Sequence, residues 1–242
     1  MQNTPLFIEI GNSTIKCAQD LNARDPEVLR FTEAAGLIEH LRQAAHQADR
    51  TILCAPVGEE FSQKVLPQLQ PFPTLRVVAR QDVSDFVGSS YETPETLGLD
   101  RVLNLFGMRK DGIVVSCGTA ITIDALHGGR PYWGAIMPGF RTSTEGLNQR
   151  VPLLPVIDPD QPPEYPARTT AASVTNGIVA GTAYGAAGIV GTLNHRLFGG
   201  SGKVILTGGD ALLLRRLWEA WTQVEVDEVL LFRGMRKLRI ED

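Results

Sequence analysis

The sequence predicts an α/β protein built from two related halves, and three observations lead to this prediction. Short apolar segments of strand length alternate with longer segments that have helical spacing of apolar residues. An apolar run, a glycine turn and a second apolar run occur at Leu6–Ala18 and again at Ile113–Asp124. A third glycine turn, Thr207–Asp210, joins a predicted strand to a predicted helix.

The first half begins with two predicted strands around the turn at residues 11–13, because Gly-Asn between β-prone residues is typical of a hairpin. The other elements predicted here are a helix over 33–48, a strand at 51–55, a helix over 59–66 that Pro67 ends, and a strand at 75–78. This alternation is typical of an α/β domain.

The second half repeats the opening pattern of the first. Gly11 aligns with Gly118, and Glu9 aligns with Ser116. The elements predicted after the repeated hairpin are a strand at 132–137, a helix at 141–149, a proline-rich connection at 151–166, a helix at about 170–197, a strand at 203–206 and a helix at 211–220. An internal duplication or a chance resemblance of two hairpins explains the repeat; duplication predicts domains at 1–108 and 109–242.

Composition limits the classes of function. The chain has 242 residues, 43% of them hydrophobic, and a formal net charge of -4. This balance predicts no nucleic-acid or membrane partner. The basic cluster at 233–239 is expected to be a solvated surface, and the uncharged stretch 169–194 has too many small polar residues for a membrane span. Three separate cysteines and a first segment unlike a signal peptide predict a cytoplasmic protein.

The glycine turns are candidates for binding phosphate. At the first turn, backbone amides together with Asn12 and Ser13 can donate to phosphate oxygens, Glu9 can hold hydrated magnesium, and Lys16 can neutralise charge. An ordinary polar hairpin with solvent-facing Glu9 and Lys16 explains the same residues. The turn at 116–119 is equally either a phosphate loop or a tight strand connection. Asp210, in the third turn, is either part of a nucleotide loop or a helix N-cap.

The candidate general base is Asp100, which follows a glycine turn and precedes an apolar helical stretch. A carboxylate in this position is also a common helix N-cap, so both interpretations stay open. Arg101 beside it can hold a carboxylate or phosphate through two hydrogen bonds, or can form a surface ion pair.

These motifs together resemble the type III pantothenate kinases, in order over nearly the whole chain. The motifs that carry the resemblance are Glu9-Ile-Gly-Asn-Ser13, Tyr91 with Pro94, Gly98-Leu-Asp-Arg101, Ser116-Cys-Gly-Thr-Ala-Ile-Thr-Ile-Asp124, Gly134-Ala-Ile-Met-Pro-Gly139, Leu153-Leu-Pro155, Thr170 with Gly177, and Thr207-Gly-Gly-Asp-Ala211. The resemblance implies two actin-like (RNase H-like) domains with a nucleotide cleft between them. It also implies a homodimer with the pantothenate pocket near the subunit interface.

The resemblance also implies a role for each matched residue. The ATP-binding positions would be Glu9, Ile10, Gly11, Asn12, Ser13, Thr14, Ile15, Lys16 and Thr119. The pantothenate-binding positions would be Tyr91, Gly98, Leu99, Asp100, Arg101 and Thr170, with Asp100 as the general base. The cofactors implied are Mg²⁺, at Glu9, and a monovalent cation, K⁺ or NH₄⁺, at the position of Ser116.

Two positions depart from the family pattern. Ser116 stands where the family has an aspartate that ligates the monovalent cation, and a neutral hydroxyl is a poorer ligand for it. Glu9 replaces another aspartate and places the carboxylate one methylene further out, which matters for the strict geometry of magnesium.

Three functions are compatible with the sequence. The leading hypothesis is phosphorylation of pantothenate by ATP, the first step of coenzyme A biosynthesis. The alternative is a relative that binds nucleotide or pantothenate without catalysis and acts as a regulatory protein, since Glu9 and Ser116 depart from the pattern. A phosphohydrolase or a kinase for another acceptor on the same scaffold is the third; the intact 98–101 segment argues against it.

Overall fold

A computed structural model describes residues 5–23, 26–44, 50–218 and 224–238. The chain forms two compact units. The first comprises residues 1–109 and 229–242, and the second comprises residues 110–228. The change of unit at 109/110 is one residue from the expected domain boundary. The last segment, assigned from the sequence to the second domain, belongs to the first unit.

Strands and helices alternate through both units. The strands are β1 Leu6–Ile10, β2 Ile15–Ala18, β3 Val28–Phe31, β4 Ile52–Pro56, β5 Leu75–Val77, β6 Gly112–Cys117, β7 Ala120–His127, β8 Arg130–Pro138, β9 Val204–Thr207 and β10 Val224–Val226. The helices are α1 Ala34–Ala44, α2 Glu59–Leu69, α3 Ser84–Val87, α4 Leu99–Gly107, α5 Phe140–Arg150, α6 Thr170–Thr175, α7 Gly181–Phe198, α8 Ala211–Leu217 and α9 Leu230–Arg236. Short 3₁₀ turns occupy Arg80–Val83 and Pro94–Thr96, and a π-turn, Asn176–Ala180, joins α6 to α7.

The two sheets have the same topology. The first sheet has the order β3-β2-β1-β4-β5, and the second has the order β10-β9-β6-β7-β8. In each, the first strand of the unit pairs antiparallel with the second and parallel with the fourth. The second pairs antiparallel with the third, and the fourth pairs parallel with the fifth. This shared order confirms the predicted α/β fold with two related halves.

Each unit has its own core on one face of its sheet. In the first unit, Ile8 and Ile10 of β1 pack with buried residues of α1 and α2. In the second unit, Ile113 and Val115 of β6 pack with buried residues of α7. Because side chains alternate along a strand, Glu9 in β1 and Ser116 in β6 point to the opposite face.

The opposite face of the first sheet is covered by α4 and α9. Phe7 of β1 packs against Phe232 of α9, with ring centroids 6.3 Å apart. The two helices approach closely through glycine: a Cβ added to Gly234 would lie 2.1 Å from the carbonyl oxygen of Leu103. No side chain fits there, so this glycine lets α9 lie against α4.

The basic cluster near the C-terminus is exposed at Arg236 and Lys237, as expected from the sequence, but its side chains also bond the rest of the first unit. Arg233 donates to the carbonyl of Leu21 at 2.6 Å, and Arg236 donates to Oδ1 of Asn22 at 2.7 Å. Lys237 donates to the carbonyls of Phe106 and Met108, each at 2.6 Å. These bonds hold the last described segment on the first unit, which explains why the chain returns there. Arg239 lies outside the described residues.

Most predicted elements are present, with two differences. Pro67 does not end the second helix: α2 continues to Leu69, which is fully buried in the first core. The strands β3 and β10 and the helices α3 and α9 were not predicted. The predicted helical residues 45–48 and 219–220 lie outside the described residues. Within the described part of the chain, no helix has the length and hydropathy needed to cross a membrane.

Candidate functional site

The first feature of the site is a half-buried ion pair at the end of the first hairpin. Glu9 in β1 lies directly opposite Lys16 in β2 in the strand register. Lys16 Nζ lies 3.0 Å from Oε1 and 3.1 Å from Oε2 of Glu9, and the side chains are 16% and 13% exposed. Directly opposed residues in antiparallel strands share a face, so the register itself forms this pair. A hairpin with solvent-facing charges is therefore excluded.

The turn that follows is held by the neighbouring loop. The N–H of Gly11 donates to the carbonyl of Thr14 at 2.9 Å, and the side chains of Asn12 and Ser13 are exposed. The N–H groups of Val57 and Gly58 both donate to the carbonyl of Ile10, at 3.0 and 2.9 Å. The turn is thus fixed in place while the donors of Asn12 and Ser13 point outward.

Gly58 is a site residue that the sequence reasoning missed. A Cβ added to it would lie 2.0 Å from the carbonyl oxygen of Gly11 and 2.6 Å from the N of Asn12. Gly58 caps α2 directly after β4, as the glycines of Thr207–Asp210 precede α8 directly after β9. This order of strand, glycine and helix is the feature of the sequence that could have identified Gly58 as a site residue.

Asp100 lies in the first turn of α4, but it is not the N-cap. Gly98 is the N-cap and makes no side-chain capping bond. The backbone N–H groups of Arg101 and of Asp100 itself instead favour the ionised form of the Asp100 carboxyl and lower its pKa. A Cβ on Gly98 would lie 2.5 Å from Oδ1 of Asp100. The glycine therefore makes room for the carboxylate.

Burial raises the pKa of the Asp100 carboxyl above its ordinary value. The negative charge of Glu9 raises this pKa further, while the N–H of Arg101 opposes the shift. Glu9 influences Asp100 because Glu9 points to the sheet face that α4 covers. The structure thus brings the predicted base, Asp100, near the predicted nucleotide residues Glu9 and Lys16.

The other predicted acceptor residues are divided between the units. Arg101 is buried, at 5% exposure, and Tyr91 is half-buried in the first unit. Thr170, in the second unit, is the exposed first residue of α6, whose N-cap is Thr169. The binding roles of Tyr91, Arg101 and Thr170 stay predictions.

In the second unit, the loop after β6 rests on the start of α5. The carbonyl of Thr119 accepts bonds from the N–H of Gly139 at 3.0 Å and from Oγ1 of Thr142 at 2.6 Å. A Cβ on Gly139 would lie 1.9 Å from the carbonyl oxygen of Gly118. The close contact fixes the backbone of Thr119 and leaves the residue exposed.

The third glycine turn, Thr207–Asp210, contacts the end of strand β6. The N–H of Asp210 donates to the carbonyl of Cys117 at 3.1 Å. Burial raises the pKa of the Asp210 carboxyl, Arg141 opposes the shift, and the charge of Asp160 adds to it. Asp210 occupies the N-cap position of α8 without a side-chain capping bond, so its carboxylate serves no capping role.

A cavity of about 370 Å³ lies in the first unit between residues 80–88 and the start of α4. Leu99 and Val102 line it. At 100° per residue these two positions share one face of α4, whereas Asp100 lies on a different face. The cavity is therefore not the space in front of the candidate base.

The order of motifs and the geometry of the first unit agree with one family. A family model of type III pantothenate kinases matches residues 5–192, which is most of the chain. The chain belongs to the type III pantothenate kinase family. A type III pantothenate kinase of Chlorobaculum parvum is 29% identical to it over 95% of this chain and 92% of that protein. One of Flavobacterium johnsoniae is 29% identical over 87% and 88%.

A solved structure supports the fold of this type III pantothenate kinase family member. A protein of Campylobacter jejuni, described as a conserved Baf family transcriptional activator, superposes with a TM-score of 0.61. The match covers 96% of each chain at 20% identity. At this identity the likeness establishes the two-unit fold alone.

Proposed function

We propose that this chain transfers a phosphoryl group from ATP to the primary hydroxyl of pantothenate, the first step of coenzyme A biosynthesis. One observation carries the proposal within this kinase family: Asp100, with a raised pKa, lies near the Glu9–Lys16 pair. A carboxylate with a raised pKa is a stronger base for a hydroxyl proton than an ordinary exposed one. This favours catalysis over a binding protein that has lost the reaction.

In this proposal, Asp100 accepts the proton of the acceptor hydroxyl as the new O–P bond forms. The N–H groups of Arg101 and of Asp100 favour the ionised carboxylate, which is the form that can accept this proton. Arg101, Tyr91 and the backbone at Gly98 and Leu99 bind the rest of pantothenate. Asp100 is thus the catalytic residue, and its neighbours position the acceptor.

The nucleotide phosphates are bound by the turn after β1. The exposed Asn12 and Ser13 donate to phosphate oxygens, and Lys16 supplies positive charge that Glu9 orients. A single carboxylate plus phosphate oxygens suits magnesium, which when bound would be held by Glu9 and the nucleotide and would neutralise phosphate charge. Lys16 now bonds both Glu9 oxygens, so it would have to release one of them to the metal. Among the described residues, no cluster of three or more His, Cys, Asp or Glu could hold a metal without the nucleotide.

A coupled assay of ADP release with ATP, magnesium and pantothenate tests the proposed function. We expect release that depends on pantothenate and saturates with it. A parallel calorimetric titration of pantothenate and of ATP separates binding from turnover. Binding without turnover would support the regulatory alternative, and release with a different hydroxyl acceptor only would replace pantothenate as substrate.

We also propose that the chain works as a homodimer through the face of α6 and α7. The stretch 170–194 contains no charged residue. Four of its nine exposed positions are glycines, spaced three or four residues apart: Gly177, Gly181, Gly185 and Gly188. Beside them, Tyr184 is 64% exposed. A smooth, uncharged helix face with one large aromatic suits close packing against an identical face.

Sedimentation velocity tests the dimer. The native chain is expected to sediment as a dimer, and Tyr184→Lys is expected to shift it towards monomer because a buried lysine at the interface would lose its hydration. Leu212→Lys is the matched control, since Leu212 is also 58% exposed but lies on α8. A native monomer, or equal effects of the two variants, would contradict this interface.

The cysteines support a cytoplasmic location, which we propose here. Cys17, Cys54 and Cys117 are all free thiols, and all are buried. Burial raises the pKa of Cys17 to about 11 and that of Cys54 to about 12. Such thiols are protonated and unreactive, and free buried thiols are typical of proteins from reducing compartments.

A further inference from the structure

The end of strand β6 carries a row of hydroxyl side chains across three strands. Ser116 pairs with Thr122 of β7 and with Thr207 of β9. Residues directly paired across strands point to the same face, so the three hydroxyls lie side by side. Thr122 and Thr207 are 8% and 4% exposed. We call Thr207, Ser116 and Thr122 the hydroxyl row.

The duplicated first sheet has a charged row at the same place. There Glu9 pairs with Lys16 of β2 and with Ala55 of β4. The shared topology aligns Glu9 with Ser116, so one half of the protein holds an ion pair where the other holds only neutral oxygens. The two equivalent strand ends therefore differ in the kind of ligand that they can hold.

The neighbouring carboxylates do not complete the hydroxyl row. Asp124 follows Thr122 on the same face of β7, but its Oδ1 accepts the N–H of Gly134 at 3.1 Å. A bulge between Ile123 and Asp124 accompanies this bond. Asp210 follows Thr207 by three residues and interacts with Arg141. Both carboxylates thus have partners within the second unit.

This donor set does not fit the monovalent cation that the family resemblance implies at Ser116. A carboxylate supplies negative charge that offsets the cost of removing a cation's hydration shell, whereas the three hydroxyls of this row supply none. We infer that this chain binds neither K⁺ nor NH₄⁺ at the hydroxyl row, and that its phosphoryl transfer does not depend on them. The statement about phosphoryl transfer rests on the proposed kinase function, whereas the statement about cation binding does not.

A gain-of-function pair of variants tests the inference: Ser116→Asp adds the missing charge, and Ser116→Asn adds the same volume without charge. The first readout is the Tm in potassium, ammonium and tetramethylammonium chlorides at equal ionic strength. We expect the same Tm in all three salts for the native chain and Ser116→Asn. For Ser116→Asp we expect potassium or ammonium to raise Tm by roughly 5 °C through binding to the folded state.

The second readout is turnover in the same salts. The native rate is expected to be unchanged by potassium or ammonium. A native Tm or rate that rises specifically with either cation, and that Ser116→Ala abolishes, would overturn the inference. A folded Ser116→Asp variant whose Tm does not rise with potassium or ammonium would also contradict the inference. The missing carboxylate would then not be the reason why the native chain fails to bind these cations. If no chain turns over in any salt, the kinase proposal fails while the Tm comparison still decides the cation site.

Discussion

Replacement of Asp100 by asparagine is expected to lower kcat by about 10²- to 10⁴-fold, the usual contribution of a general base. Asparagine keeps the size of the side chain beside Gly98 but cannot accept the proton of the acceptor hydroxyl. The KM for ATP is expected to change little, since the nucleotide turn is untouched. Single-turnover phosphorylation of pantothenate measures the loss directly.

The same substitution is expected to stabilise the fold at neutral pH. Because the pKa of Asp100 is raised in the folded state, the folded protein favours the protonated form. The stability that this protonation contributes is fully present below the ordinary carboxyl pKa and is lost as pH rises through the raised one. Asparagine does not ionise, so the Asp100→Asn variant does not lose this stability as the pH rises. Its free energy of unfolding should therefore exceed that of the native chain at pH 7, and the two values should approach each other in acid.

A control and a pH profile complete this test. Asp85→Asn changes an exposed carboxylate of the same unit and is expected to alter neither kcat nor stability. For the native chain, kcat/KM should fall as the pH is lowered, because the base must be ionised to act. The apparent pKa of this fall should lie above the ordinary aspartate pKa. Native turnover in Asp100→Asn would remove Asp100 from the catalytic role, and an acid limb at the ordinary value would contradict the raised pKa.

Replacement of Gly58 by alanine is expected to raise the KM for ATP at least about tenfold and to destabilise the fold by about 1–3 kcal/mol. The added Cβ would lie 2.0 Å from the carbonyl oxygen of Gly11, so one of two backbone segments must move. Gly58 has an extended conformation that alanine adopts freely, so the effect is steric alone. Any movement of Gly11 displaces Asn12 and Ser13 from the phosphates.

Gly146→Ala is the matched control for Gly58→Ala. Gly146 lies exposed in α5, and a Cβ there would meet nothing within 4 Å. This variant is expected to leave the KM for ATP unchanged and to raise stability by up to about 1 kcal/mol through helix propensity. Chemical denaturation and ATP saturation curves measure both effects. A Gly58→Ala chain that behaves like Gly146→Ala would show that the turn does not bind phosphate.

The sequence by itself determined features that are encoded locally. The repeated strand–glycine–strand pattern predicted both hairpins, and periodic apolar residues predicted most helices, because strand and helix periods depend only on neighbouring residues. The alignment of Glu9 with Ser116 predicted their equivalent positions in two sheets of one topology. The motif around Asp100 predicted a carboxylate at a helix start, although not its place beyond the N-cap.

Only the tertiary structure decided which distant residues meet. The Glu9–Lys16 pair depends on strand register, and the effect of Glu9 on Asp100 depends on α4 covering one face of β1. The role of Gly58 depends on a loop that pairing with β4 brings to β1. Pro67 could remain inside α2 because burial of Leu69 stabilises the last turn. The contacts of Glu9 with Asp100 and of Gly58 with Gly11 join residues far apart in the chain, and the burial of the ion pair and of Leu69 exists only once the sheet has assembled.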